Sequence, residues 1–220
     1  MNRFFPHPIK AILFDLDGTL IDTDDAAVLH LAQRLRPLAR QHAPRLARAI
    51  TMKVETPGNA LITLFDILHL DQPLFHLKER WRATASGFRL IAGIPQMINE
   101  LDDAYRIGLV TTRSRHDVHA FLEQFPAIAA RVEVTCSAQD TRRLKPHPQP
   151  VQFAAARLGL APAHCLMVGD TTVDIHSARR AGAWSVGVLC GFGERPELEK
   201  AGAHVILDST AQLGMILSNS

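Results

Sequence analysis

The sequence predicts an α/β fold, a parallel sheet covered by helices on both faces, and three observations predict it. From Gly93 onward short apolar runs alternate with stretches of helical periodicity, the rhythm of β-α units. The first run, Ala11-Ile12-Leu13-Phe14, is apolar throughout rather than alternating, as expected of a strand buried on both faces. Four of the expected strand ends carry polar residues, and the carboxyl ends of the strands are where such a sheet places its chemistry.

Taken in order, Ile9 to Asp15 contains the first strand, and a loop begins near Asp17. At Asp22 the pattern changes. Asp22, Thr23 and Asp24 are candidate N-caps, and Val28, Leu31, Ala32, Leu35, Leu38 and Ala39 recur at helical spacing toward a break at Pro37. Thr56-Pro57-Gly58-Asn59 reads as a turn, followed by a second apolar helical face on Leu61, Leu64, Phe65 and Leu68. Pro73 suits the first turn of another helix carrying Leu74, Leu77 and Trp81. Residues 22–92 are therefore expected to be an all-helical insertion, a cap domain, with residues 1–21 and 93–220 forming the α/β core. In the core the expected elements are a helix over Pro95 to Ala104 and strands at Ile107–Val110, Val132–Cys136, Cys165–Val168, Trp184–Leu189 and His204–Leu207.

Composition narrows the function classes. The 220 residues are 47% apolar, ample for a buried core. The 24 basic and 22 acidic side chains leave a formal charge of +2. No global field draws the chain to nucleic acid or an anionic membrane, so any anion selectivity must be local. Cys136, Cys165 and Cys190 lack C-x-x-C spacing and read as reduced, mostly buried thiols. Nothing approaches the roughly 20 apolar residues of a membrane span, and a cytoplasmic location is expected. His30, His42, His69 and His76 are scattered without metal-ligand spacing, while His147 sits between prolines as a surface loop residue. The basic run Arg34, Arg36, Arg40, Arg45 and Arg48 falls at helical spacing among apolar partners and reads as a solvated face. Gly191-Phe192-Gly193 lacks the longer glycine frame of a dinucleotide site.

The polar strand ends concentrate the chemistry. Asp15-Leu16-Asp17-Gly18-Thr19 sets two carboxylates one residue apart at a strand-to-loop junction. Thr111-Thr112 places hydroxyls after an apolar strand, and Lys145-Pro146-His147-Pro148 presents a lysine on a stiffened loop. Gly169-Asp170-Thr171-Thr172-Val173-Asp174 combines two carboxylates with the backbone N–H groups of a helix start. Any one of these is common in turns. Their joint occurrence in this order is not.

DLDGT, Thr111, Lys145 and GDTTVD in that order resemble the four signature motifs of the haloacid dehalogenase superfamily, and the resemblance spans nearly the whole chain. It implies a Rossmann-like core, with residues 22–92 resembling a C1-type cap. Ala181 to Val188 followed by Gly191-Phe192-Gly193 is similar to phosphoglycolate phosphatases and related pyrophosphatases. The family pattern implies Asp15 as nucleophile and Mg²⁺ as cofactor, held by the Asp15 carboxylate, the Asp17 backbone carbonyl and Asp170. All-oxygen ligands favour magnesium over zinc. It further implies that Lys145, Thr111, Thr112 and Gly18 meet the phosphoryl group, and that Asp174 supports Lys145 or a metal-bound water.

Asp17 decides the reaction type. Lying past the strand end, it is placed to protonate a leaving oxygen and then to take a proton from water, and superfamily dehalogenases lack it. The implied activity is thus a phosphatase forming an aspartyl phosphate on Asp15, with a small phosphorylated metabolite as partner and neither nucleic acid nor membrane. A phosphoglycolate-like monoester is the first expectation, with pyrophosphate, sugar phosphates and nucleotides open. A receiver-like signalling domain would be shorter and uncapped; a silent binding module would not need Asp15, Asp17, Lys145 and Asp170 together. In the cap, Lys53, Arg80, Arg82 and Arg89 are cations that could meet a second anionic group. No motif in the chain indicates an oligomeric state.

Overall fold

The computed structural model describes Phe5, residues 8–22 and residues 87–217. The helices expected between residues 23 and 86, and the cap they would form, lie outside the described residues. Six strands form one parallel sheet in the order β3-β2-β1-β4-β5-β6: β1 Ala11–Phe14, β2 Arg106–Val110, β3 Val132–Cys136, β4 Cys165–Gly169, β5 Trp184–Val188 and β6 Val205–Leu207. Each observed strand overlaps its expected run, with ends shifted by a residue or so. The helices are α1 Ile94–Glu100, α2 Arg115–Gln124, α3 Pro126–Ala129, α4 Gln149–Arg157, α5 Thr172–Ala181, α6 Arg195–Ala201 and α7 Gly214–Leu217.

Strand alternation divides the core in two. Ile12, Phe14, Ile107, Leu109, Leu166 and Val168 point to one face, where Ile94, Met97 and Ile98 of α1, Phe121 of α2 and Ile216 of α7 pack on them. Ala11, Leu13, Val110, Cys165 and Met167 point to the other, against Val151, Ala154 and Ala155 of α4 and Ala178 of α5. Because successive side chains of a strand face opposite ways, a run apolar at every position can satisfy both faces at once.

Helix α1 stops at Glu100, four residues before Ala104. The physical reason is local. Leu101 turns to an extended backbone at ψ 131°, and the Asp102 carboxylate accepts the N–H of Ala104 at 2.8 Å. This short-range turn competes with a further helical turn.

The order of strands sets the position of the site. β1 pairs with β2 on one side, Phe14 opposite Leu109, and with β4 on the other, Phe14 opposite Val168. Asp15, Thr111 and Asp170 therefore emerge from three adjacent parallel strands at the same edge of the sheet. β1 and β4 flank the point where the winding direction reverses, which opens a crevice at their carboxyl ends. The chain leaves and re-enters the core at one place: Asp22 N–H donates to the Arg89 carbonyl at 2.8 Å, and Ile91 N–H to the Leu20 carbonyl at 3.0 Å.

Candidate active site

Asp15 continues β1 by donating its N–H to the Val168 carbonyl at 2.9 Å, and its side chain turns into a buried pocket of charge. Lys145 Nζ lies 2.9 Å from Asp15 Oδ1 and 2.6 Å from Asp174 Oδ1. It also donates to the carbonyl of Val110, the last residue of β2, at 2.8 Å. A lysine 2% exposed is held here by two carboxylates and a carbonyl, the partners that a buried ammonium requires. Burial alone would lower its pKa, but the charges of Asp15 and Asp174 outweigh that and raise it.

Asp174, in the first turn of α5, uses both oxygens. Oδ1 meets Lys145, while Oδ2 accepts the Thr171 hydroxyl at 2.7 Å and the Thr171 N–H at 3.1 Å. Asp170 is different. Its Oδ2 accepts the Phe192 N–H at 2.8 Å, whereas Oδ1 is buried without a hydrogen-bond partner. Oxygens of Asp15, Asp170 and Asp174 approach within 4.8 Å of one another. Burial, opposed by Lys145 and reinforced by Asp174 and Asp17, pushes the Asp15 carboxyl up to about 7. Burial and the charges of Asp174 and Asp15 push Asp170 well above the usual carboxylate range.

A hard divalent cation fits this set. The donors are all oxygens, and the orphaned Asp170 Oδ1 is a buried anionic atom lacking the partner that such atoms ordinarily have. Since Asp174 is committed to Lys145 and Thr171, Asp15 and Asp170 are the carboxylates that remain for the ion.

The other expected site residues are Thr111, Thr112, Gly18 and Asp17. Thr111 is buried after β2; its N–H donates to the Cys136 carbonyl at 2.9 Å, and its hydroxyl accepts the Arg113 N–H at 3.1 Å. Thr112 follows it, half-buried. Gly18 takes a left-handed φ of 68°, and a side chain there would lie 2.2 Å from Asp170 Oδ2, so conformation and space both demand glycine. Asp17 pairs with Arg113. Its carboxylate is gripped by Arg113, Nε to Oδ2 at 2.8 Å and Nη2 to Oδ1 at 2.6 Å.

Arg113 and the N–H of Phe192 are the contacts that the sequence reading missed. Arg113 carried a signal, a cation two residues beyond Thr111 on a chemistry-bearing strand end. A backbone donor carries none, apart from the glycines around it. Among the cysteines, Cys136 and Cys165 are buried free thiols, and Cys190 is half-buried. No helix among the described residues is long and apolar enough to cross a membrane.

Comparison with known proteins adds to this geometry. The sequence matches the family described as haloacid dehalogenase-like hydrolase over residues 12–188. The chain belongs to the haloacid dehalogenase-like hydrolases. A phosphoglycolate phosphatase of Xanthomonas campestris is 32% identical over 191 residues, covering 83% of this chain and 84% of the relative. Pyrophosphatase PpaX of Oceanobacillus iheyensis is 28% identical over 225 residues, covering 96% of this chain and 98% of the relative. Among solved structures, a HAD family hydrolase from Deinococcus radiodurans, with bound phosphate and sodium, superposes at a TM-score of 0.69. It is 22% identical and covers 96% of each chain, which places the fold among the same hydrolases.

Proposed function

We propose that this hydrolase is a Mg²⁺-dependent phosphatase acting on a small phosphorylated metabolite through an aspartyl phosphate on Asp15. One observation carries the reading: Asp15, Lys145, Asp170 and Asp174, drawn from three segments of the chain, share a buried cluster in which one carboxylate oxygen, Asp170 Oδ1, lacks a partner. Within the family, the similarity to a phosphoglycolate phosphatase favours a phosphoglycolate-like monoester. The nearly end-to-end similarity to a pyrophosphatase favours pyrophosphate as the second reading.

In this reading Asp15, Asp170 and the Asp17 carbonyl hold Mg²⁺, which when bound offsets the repulsion between a carboxylate and a phosphate dianion. An Asp15 carboxylate oxygen bonds to phosphorus in line with the leaving oxygen, and the bond to that oxygen breaks. Lys145 keeps Asp15 oriented and favours its charged form against burial, and with Thr111, Thr112 and the Gly18 turn it meets the phosphoryl oxygens. Asp17 gives a proton to the leaving oxygen. It then takes one from a water that attacks phosphorus and releases Asp15. Residues 22–92 serve as the cap, inserted through the paired segments at Leu20–Asp22 and Arg89–Ile91, and exclude water around the substrate.

The test is release of phosphate from p-nitrophenyl phosphate with Mg²⁺, followed by a panel that includes 2-phosphoglycolate and pyrophosphate. A preference for one compound of the panel supports a dedicated substrate. Purified, folded protein that releases no phosphate from any of them overturns the reading.

A further inference from the structure

The Asp170 carboxylate is enclosed by backbone. A side-chain carbon at Gly191 would lie 2.1 Å from its Oδ2, one at Gly18 would lie 2.2 Å from the same atom, and one at Gly193 would lie 1.9 Å from the Asp170 carbonyl oxygen. Of these three glycines only Gly18 has a left-handed φ, so at 191 and 193 the requirement is space. The loop is tied back to the first motif. Cys190 Sγ donates to the Gly18 carbonyl at 3.5 Å, and the Thr210 hydroxyl donates to the Thr19 carbonyl at 2.7 Å.

The partner of Asp170 also matters for charge. Lys145 forms its ion pairs with Asp15 and Asp174, whereas Asp170 Oδ2 is held by the uncharged Phe192 N–H. A neutral donor fixes the carboxylate without cancelling its negative charge. The other oxygen, Oδ1, stays buried and unpartnered in the acidic cluster. Groups that orient a ligand in this way typically change metal affinity by about 10–100-fold when lost.

We propose that the Gly191-Phe192-Gly193 loop is the positioning element of the cation site: its close glycine packing and the Phe192 N–H orient Asp170 so that Oδ1 takes a divalent cation. The proposal rests on the reading of the acidic cluster as a Mg²⁺ site and deepens it by assigning the affinity to a loop that contributes no ligand.

The experiment is calorimetric titration of the whole protein with MgCl₂ in the absence of substrate. Gly191→Ala is expected to weaken Mg²⁺ binding by about 10–100-fold. Gly214→Ala, with nothing within 4 Å of the added carbon, should leave it unchanged. Phe192→Ala keeps the N–H and should bind Mg²⁺ within about twofold of wild type, while Phe192→Pro, which lacks the N–H, should bind as weakly as Gly191→Ala. Circular dichroism and the unfolding midpoint in chelator establish that each variant is folded. Wild-type affinity in a folded Gly191→Ala or Phe192→Pro overturns the proposal, as does a loss in Phe192→Ala as large as that expected for Gly191→Ala. If neither of the other two folds, Gly193→Ala, whose added carbon would lie 1.9 Å from the Asp170 carbonyl oxygen, is titrated in their place: it should lose Mg²⁺ affinity as Gly191→Ala does, and wild-type affinity overturns the proposal. Wild-type protein that takes up no Mg²⁺ instead defeats the underlying reading of the acidic cluster.

Discussion

Arg113 and Asp17 form a two-pronged ion pair, with both carboxylate oxygens engaged at 2.6 and 2.8 Å. The same guanidinium lies 5.2 Å from the centre of the Phe88 ring. Phe88 is pinned in turn by reciprocal bonds with the Gln124 side chain, N–H to Oε1 at 2.8 Å and Nε2 to the carbonyl at 2.7 Å. Arg113 therefore ties the loop after β1 to the segment where the chain re-enters the core. A planar fork matched to a carboxylate fixes orientation as well as charge, which a lysine would not do.

Replacing this arginine tests the role of Asp17. In Arg113→Met the carboxylate loses both bonds, and turnover of an alkyl phosphate should fall on the order of 10²-fold, the lower end of what a positioned acid or base contributes. In kcat/KM, which reads the step that expels the leaving group before the shared aspartyl phosphate is hydrolysed, p-nitrophenyl phosphate, whose leaving group needs no proton, should lose far less. Equal losses on the two substrates, read from steady-state kinetics, would assign Arg113 to the phosphoryl group instead.

Lys145 should matter as much for folding as for chemistry. Lys145→Met leaves Asp15 and Asp174 facing each other without their cation, and removing one partner of a buried ion pair costs about 3–5 kcal/mol. Urea unfolding at neutral pH should register that loss. The deficit should shrink in acid as Asp15, whose carboxyl burial already raises, takes up a proton.

Asp15→Asn is expected to separate activity from stability. Loss of a covalent nucleophile lowers turnover on the order of 10⁶-fold. Yet the charged form of Asp15 is disfavoured by burial, so in chelator above neutral pH the neutral amide should raise the unfolding midpoint. An unchanged or lower midpoint would mean that the pairing with Lys145 outweighs burial.

The elevated carboxyls also predict a pH dependence. Asp15 titrates at about 7 in the folded protein against 3.8 as its ordinary value. Between those values the native state binds the extra proton, the unfolded state does not, and stability falls as pH rises. Asp170, raised in the same direction, adds to this slope. His176 and His204, lowered chiefly by burial, oppose it near their ordinary value of 6.5. Lys145 stays protonated in both states over this window and contributes no slope. Comparing wild type with Asp15→Asn in chelator cancels the histidines. The stability difference should widen from pH 4 to pH 7, and added Mg²⁺ should narrow it at the upper end. A constant difference would contradict the elevated pKa.

The sequence by itself determined the fold class and the strands, because a run such as Ala11–Phe14 buries alternate residues on opposite faces whatever surrounds it. It also marked Asp15, Lys145, Asp170 and Asp174, since charged residues at a strand end, in a proline-stiffened loop and at a helix start are visible locally. Tertiary structure decided how those charges are shared. Asp17 faces Arg113, Lys145 lies between Asp15 and Asp174, and Asp170 is left with a backbone donor and one free oxygen. Local pattern reports what each segment buries. Which loop meets which depends on strand order, and that order is set only when the whole sheet has assembled.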